Sequence, residues 1–150
     1  MWPILEFDSS NAPIHFTLAN KGVGPAIIRH VIVKVDGQPV RNWKEALGRI
    51  LGPGGAFGFG ERHECRVFAA GESMTVFTPF DPAAGKPLAF DKSNPLWVKL
   101  NKERDRVTVE ICYSSTLGEC WTLRAGGSTS ASTTTETRRC PTPSAISFQQ

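Results

Sequence analysis

One stretch of the sequence, Gly24 to Val40, constrains the fold more than any other because it holds the longest run of β-branched residues. From Val31 to Val35 successive side chains point to opposite faces, which is typical of a strand with one buried and one partly wetted face. Asp36 and Gly37 follow, and both tolerate the positive φ angles of a tight hairpin turn. Pro39 cannot donate a backbone hydrogen bond, so the returning strand is predicted to be short or to lie at a sheet edge. The chain is therefore expected to build a β-sheet on this strand.

The length and charge of the chain limit its architecture and its partners. Its 150 residues suit one domain, long enough to bury about two-thirds of the extended chain's surface on folding. The 17 basic residues are scattered among 14 acidic ones, whereas a surface that follows a phosphate backbone needs them clustered. No segment reaches the roughly 18 consecutive apolar residues of a membrane-spanning helix. The composition therefore predicts a mixed, solvated surface and no nucleic-acid partner.

Short strand patterns recur between turn signals, about every eight to twelve residues along the chain. Between residues 42 and 51 the apolar period changes to that of a helix, with Asn42 as the N-cap and Gly52 at the end. These patterns predict an all-β fold, an immunoglobulin-like antiparallel β-sandwich with one short crossover helix over about residues 42–51. A charged, solvated hairpin tip is expected at residues 101–106. The other predicted strands cover residues 2–7, 14–20, 65–68, 74–77, 96–100, 107–112 and 120–123.

A change of composition divides the chain near residue 125. Residues 126–137 are almost all small and polar, as in a flexible connection. Beyond them, Ile146 and Phe148 restore some apolar character. We therefore predict a sandwich domain over residues 1–125, followed by a Ser/Thr-rich connection and tail over 126–150 that packs back on the sandwich.

The four cysteines are not spaced like metal ligands. An even number of them favours disulfides and an oxidising compartment, with free buried thiols as the alternative. A hairpin centred on Thr116 would set Cys112 opposite Cys120, so a bridge between these two is predicted. Cys65 and Cys140 would then be either free or joined to each other, and a bridge between them would tie the tail to the sandwich.

The segment from residue 52 to residue 64 is rich in glycine and includes Phe57 and Phe59. It does not fit a phosphate-binding loop, because no Lys-Ser or Lys-Thr pair follows the glycines and no strand immediately precedes them. Residues 52–62 are predicted to be the least ordered internal segment. The two phenylalanines either pack on the sandwich or form a contact loop for a partner.

No group of residues in the sequence has the pattern of an active site. The three histidines are isolated, and no Gly-x-Ser-x-Gly motif occurs. We therefore predict no enzymatic activity, no catalytic residues, no cofactor and no metal site. The expected function is a non-catalytic interaction or structural module for a protein or envelope partner, of a kind and oligomeric state that the sequence does not identify. The alternative is a small hydrolase-like or ligand-binding enzyme domain whose site lies on loops.

Two segments carry recognisable structural motifs: an N-x-G-x-G-P-A turn over residues 20–26 and a late Y-x-S…G-x-x-W hairpin over 113–121, with Asp36-Gly37 and Trp43 between them. These motifs resemble those of uncharacterised bacterial membrane-anchored, immunoglobulin-like β-sandwich proteins. The resemblance covers about a third of the chain and brings no catalytic residues. It implies an extracytoplasmic domain, periplasmic or at the cell surface, whose membrane contact is made only by a segment upstream of Met1.

Overall fold

Two antiparallel β-sheets pack face to face in the computed structural model of the chain, which describes residues 2–11, 14–52, 66–81, 86–126, 132–142 and 148. In chain order its strands are β1 Leu5–Asn11, β2 Ile14–Asn20, β3 Ala26–Val35, β4 Gln38–Val40, β5 Val67–Phe68, β6 Ser73–Phe77, β7 Phe80–Asp81, β8 Lys86–Pro87, β9 Val107–Ser114, β10 Cys120–Gly126 and β11 Thr133–Thr137. The smaller sheet has the order β1-β2-β6 and the larger has the order β11-β10-β9-β3-β4, with β5 also paired to β3. β7 and β8 form a separate two-stranded ribbon. The predicted all-β sandwich is confirmed.

Strand β3 occupies the position that its sequence predicts. It pairs with β9 on one side and with β4 and β5 on the other. Val33 and Val35 are buried in the core, while Val31 is half-buried against it. Asp36 and Gly37 have φ angles of 52° and 80°, so the tight turn that they predict is confirmed. The alternating valines of this stretch therefore lie on the face of β3 that packs against the core.

The predicted helix is confirmed as α1, Trp43–Leu51. Asn42 caps it, because its side-chain oxygen accepts a hydrogen bond from the backbone N–H of Glu45 at 2.8 Å. Trp43 is buried, and its ring centroid lies 4.9 Å from that of Phe77 and 5.1 Å from that of Phe148. The helix therefore closes one side of the core with an aromatic contact that joins the smaller sheet to the chain terminus.

A second helix, α2 (Pro95–Glu103), replaces the strand predicted at residues 96–100. Asn94 caps it by accepting a hydrogen bond from the N–H of Leu96 at 3.0 Å, and Pro95 occupies the first turn, where its missing N–H costs nothing. Trp97 and Leu100, three residues apart, point into the core. The prediction was wrong because the alternation of apolar residues there extends over only five positions, and the Asn-Pro cap is the stronger signal.

The charged segment 101–106 is not a hairpin tip. It ends α2 and forms a short 3₁₀ turn, Arg104–Arg106, before β9. Arg104 Nη1 donates to the side chain of Ser9 at 2.7 Å, and Arg106 binds the carboxylates of Asp36 and Glu103. These contacts attach the turn to β1 and to the β3–β4 hairpin, so the charges act as connections between elements.

The register of the last hairpin differs from the predicted one. Cys120 lies opposite Ser114, and Thr122 lies opposite Cys112. The hairpin is therefore centred on Leu117, one residue beyond the predicted centre. A shift of one residue in the centre moves every cross-strand pair by two positions and leaves each side chain on its predicted face.

The disulfide joins Cys112 to Cys140, with their Cα atoms 5.5 Å apart. The predicted bridge between Cys112 and Cys120 is wrong, because residues displaced by two positions across a strand pair lie about 7 to 8 Å apart, beyond disulfide range. The alternative bridge from Cys65 to Cys140 is excluded in this structure since Cys140 is already bonded. Cys120 is a free, half-buried thiol. Cys65 lies outside the described residues.

Besides the disulfide, strand pairing and the packing of Phe148 connect the end of the chain to the body. Strand β11 extends the larger sheet by pairing with β10, and the N–H of Phe148 donates to the carbonyl of Val31 at 2.8 Å. Phe148 itself is buried against Trp43. The division into a domain over residues 1–125 and a tail over 126–150 stays a prediction.

Candidate interaction surface

One end of the sandwich gathers several segments that connect or precede strands, and three of them carry large exposed apolar side chains. The segment before β1, the β2–β3 connection over residues 21–25 and the β9–β10 hairpin over 115–119 all lie there, because β2 and β9 end at this end while β1, β3 and β10 begin there. We call it the apolar end. The name refers to four large side chains, which are Trp2, Ile4, Val23 and Leu117.

Each of these four side chains is more than half exposed. The exposed fraction is 62% for Trp2, 55% for Ile4, 68% for Val23 and 80% for Leu117. A single exposed apolar residue is ordinary on a soluble protein, whereas several that converge from separate segments mark an interaction surface. Their grouping is therefore the feature that needs a functional explanation.

Hydrogen bonds hold the three segments of the apolar end side by side. The N–H of Val23 donates to the carbonyl of Trp2 at 3.2 Å, and the N–H of Lys21 donates to the carbonyl of Ile4 at 2.7 Å. The indole Nε1 of Trp2 donates to Oε1 of Glu119 at 3.2 Å, two residues from Leu117. These bonds therefore place the three segments that carry the four apolar side chains next to one another.

Asn20 is fully buried beneath this surface. Its side-chain amide accepts two hydrogen bonds and donates two. Its Oδ1 accepts from the N–H groups of Ile4 at 3.2 Å and Gly22 at 3.0 Å. Its Nδ2 donates to the carbonyls of Gly24 at 2.8 Å and Phe68 at 3.2 Å. A buried amide with two bonds accepted and two donated fixes the positions of four backbone groups. The first residue of the N-x-G-x-G-P-A motif is thus the support of the apolar end.

Gly22 in the same motif allows the N-terminal segment to approach closely. A Cβ atom at this position would lie 2.3 Å from the carbonyl oxygen of Trp2 and 2.4 Å from the backbone nitrogen of Ile4. Both neighbours are backbone atoms, so they cannot turn aside as a flexible side chain could. The glycine is therefore required for Trp2 and Ile4 to lie where they do.

Ser115 fixes the hairpin that carries Leu117. The serine is buried, and its Oγ accepts from the N–H of Leu117 at 3.1 Å and from that of Glu119 at 3.3 Å. Gly118 supplies the positive φ of 88° that the turn needs. Leu117 is therefore presented on an internally bonded turn.

Tyr113 connects the two sheets below the apolar end. It is almost fully buried, its ring stacks on Trp121 at 5.7 Å between centroids, and its hydroxyl accepts from the N–H of Leu5 at 3.4 Å. Burial raises the pKa of the Tyr113 phenol, and its hydrogen bonds to Leu5 and Thr134 oppose that shift. The phenol therefore stays neutral at physiological pH and serves as a structural contact.

A shallow depression of about 270 Å³ lies on the outer face of the larger sheet, far from the apolar end. Its charged lining includes Glu110 and Arg124, which pair with each other at 3.2 Å, and Lys34. Within the described ranges, no three His, Cys, Asp or Glu side chains are arranged to hold a metal ion. None of the helices in that part of the chain is long and apolar enough to cross a bilayer.

The sequence indicates a different contact segment, and that segment stays a prediction. The predicted contact loop with Phe57 and Phe59 lies outside the described residues, as do residues 53–62 of the predicted least ordered segment. The sequence predicts a strand that includes Trp2 and Ile4, and it predicts turns at Val23 and Leu117. The available signal is the two-residue spacing of Trp2 and Ile4, which puts both side chains on one face of an extended segment; that this face is exposed is known only from the structure.

Comparison of the chain with protein-family models, with curated proteins and with solved structures finds no match.

Proposed function

We propose that this domain is a non-catalytic interaction module that contacts its partner through the apolar end. The observation that carries the proposal is the convergence of Trp2, Ile4, Val23 and Leu117, each more than half exposed, on one hydrogen-bonded end of the sandwich. Exposed apolar groups of this kind are costly in water and gain free energy when a partner covers them.

The hydrogen bonds beneath the apolar end favour binding of a partner. At a protein interface a few side chains, here called anchors, contribute most of the binding free energy, and tryptophan is prominent among them. Anchors that are already held in place lose less conformational entropy on association. The bonds of Asn20 and Ser115 provide that order before a partner arrives. We expect Trp2 and Leu117 to contribute the most to binding.

The proposed compartment is extracytoplasmic. The disulfide between Cys112 and Cys140 supports it, because such bonds persist mainly in oxidising surroundings. A bacterial envelope, periplasmic or at the cell surface, and anchoring to a membrane rest on the resemblance in the turn and hairpin motifs alone.

A pair of matched substitutions tests the proposal. Leu117→Ser removes an apolar group from the apolar end, and Val98→Ser removes one from α2, where Val98 is 46% exposed. Val98 lies on α2, before β9 in the chain, whereas Leu117 lies in the hairpin that follows β9. Both chains are made in cells that naturally contain the protein, and detergent extracts are separated by size.

The wild-type chain is expected to elute in an assembly larger than one chain, and Val98→Ser should do the same. Leu117→Ser should shift most of the chain to the size of the isolated protein. Elution of the wild type as an isolated chain, or identical elution of all three proteins in a large assembly, would contradict the proposed role of the apolar end.

A further inference from the structure

Three cysteines share the outer face of the larger sheet. Ile111 and Tyr113 are buried in the core, so Cys112 between them points away from it. On β10, Leu123 points inward, which places Thr122 and Cys120 on the outer face. The hydroxyl of Thr122 lies 3.7 Å from Sγ of Cys112, as residues opposed on one face should. Cys140 reaches this face to bond Cys112.

The strand register fixes how far Cys120 lies from the disulfide. Cys112 is opposite Thr122, and Cys120 is two residues before Thr122 on the same strand. The Cα atoms of Cys112 and Cys120 are therefore diagonal neighbours, about 7 to 8 Å apart. This separation prevents a direct bond between them in the present register. Residues that lie opposite one another on neighbouring strands form a row across the sheet, and Cys120 lies on the same face as Cys112, one row further along.

Cys140 is tethered close to Cys120. Thr137, the last residue of β11, is the cross-strand partner of Cys120, and Cys140 follows it by three residues. Three residues span at most about 11 Å when extended. Residues 138–142 form neither helix nor strand, so no ladder of hydrogen bonds has to break for Cys140 to move from one row to the next.

We propose that Cys112, Cys120 and Cys140 form a thiol–disulfide exchange site in which Cys140 bonds alternately to Cys112 and to Cys120. The Cys120 thiol loses its proton, and its thiolate attacks Sγ of Cys140. A bond forms between Cys120 and Cys140, the bond between Cys112 and Cys140 breaks, and Cys112 leaves as a thiolate that takes up a proton. The exchange is an isomerisation, so it consumes no oxidant or reductant.

The exchange would move the tail toward the apolar end. The row of Cys112 also contains His30 and Thr122, and the next row contains Ser114 and Cys120. Successive rows on one face lie about 6.6 Å apart along the strands. Cys120 directly follows the hairpin of Leu117, and its Sγ lies 3.5 Å from the carbonyl of Gly118. The alternative bond would therefore bring the tail beside the hairpin and uncover Cys112.

Peptide mapping of the full chain tests the proposal directly. Cleavage after arginine and glutamate residues places Cys112 on residues 111–119, Cys120 on residues 120–124 and Cys140 on residues 140–150, so each pairing gives a distinct linked peptide. The protein is incubated in a mixture of reduced and oxidised glutathione, quenched with acid and alkylated. We expect the Cys112–Cys140 peptide to dominate and the Cys120–Cys140 peptide to reach about a tenth or less of the total.

Two cysteine variants test the same exchange without requiring that the form with a Cys120–Cys140 bond be detected in the wild type. In Cys112→Ser the freed Cys140 should be captured by Cys120, whereas in Cys120→Ser the bond from Cys112 to Cys140 should remain. Circular dichroism confirms that both variants are folded. Recovery of Cys120 and Cys140 from folded Cys112→Ser as separate glutathione adducts would overturn the proposal. So would recovery of wild-type Cys120 bonded to Cys65.

Discussion

The side-chain oxygen of Asn20 accepts a hydrogen bond from the backbone N–H of Ile4 at 3.2 Å, between residues 16 positions apart in the sequence. This bond joins the buried end of β2 to the exposed segment that carries two of the four apolar side chains. The same amide also orders the β2–β3 connection through Gly22 and Gly24. A single buried side chain thus positions most of the proposed interaction surface.

Replacing Asn20 by aspartate tests this role with almost no change of shape. A carboxylate cannot donate, so it would face the carbonyls of Gly24 and Phe68 without a proton between them. Because each unsatisfied buried group costs about 1 to 3 kcal/mol, we expect Asn20→Asp to lower the free energy of unfolding by roughly 3 kcal/mol or more. Urea unfolding at pH 7 measures it.

Asn101→Asp is the matched control for this substitution. The Oδ1 of Asn101 accepts from Arg104 at 3.2 Å, and a carboxylate keeps that bond. Its effect should stay within about 1 kcal/mol, because Asn101 is only partly buried and ion pairs near the surface contribute little to stability. Equal stability of the two variants would show that the amide of Asn20 is not the support described above.

We expect the replacement of glycine by alanine to have opposite effects on stability at positions 22 and 48. Gly22→Ala would place Cβ against the backbone of Trp2 and Ile4, and we expect a loss of about 1 to 3 kcal/mol, as for an overpacked site. Gly48 lies inside α1 with open space around it, so Gly48→Ala should stabilise the protein by about 0.5 to 1 kcal/mol. Thermal unfolding compares them. Stabilisation by both substitutions would mean that the N-terminal segment does not lie over Gly22.

The ion pair between Asp36 and Arg106 predicts a pH dependence. Hydrogen bonding to Arg106 holds the pKa of Asp36 below its ordinary value of about 3.9. The folded state therefore favours the charged form. The resulting stabilisation is present above the ordinary value and is lost as the pH falls through the lowered pKa of the folded state.

Asp36→Asn isolates this contribution, since asparagine also tolerates the left-handed conformation at this turn. We expect the wild type to exceed the variant in unfolding free energy at pH 7, and the difference to shrink as the pH falls below about 4. Chemical unfolding between pH 7 and pH 2.5 provides the comparison. A difference that grows toward low pH would contradict the ion pair.

The sequence predicts an element correctly where the face that its apolar pattern marks is also the face that the fold buries. The β-branched alternation of β3 and the capped helical period of α1 both describe a buried face, so their positions could be read from the sequence. For α2 the same kind of pattern was misleading. Leu96, Val98 and Leu100 alternate as in a strand, yet Val98 is exposed because the segment is helical.

The hairpin centre and the apolar end lay beyond sequence reasoning for a different reason. Centres at Thr116 and Leu117 leave Cys112 and Cys120 on the same face, so the apolar pattern does not distinguish them. The position of Trp2 beside the β9–β10 hairpin involves a contact with Glu119, 117 residues away, that only the folded chain brings together. The resemblance in the turn motif identified Asn20 but assigned it no role.

Site-specific photocrosslinking in living cells tests the central claim, that the apolar end contacts a partner, most directly. A photoreactive amino acid replaces Leu117 in one chain and Val98 in a second; both are exposed apolar positions, Leu117 in the β9–β10 hairpin and Val98 on α2. Irradiation should link the Leu117 chain to one defined partner and leave the Val98 chain without that adduct. Absence of any adduct at Leu117, or the same adducts at both positions, would contradict the assignment of the apolar end as the interaction surface.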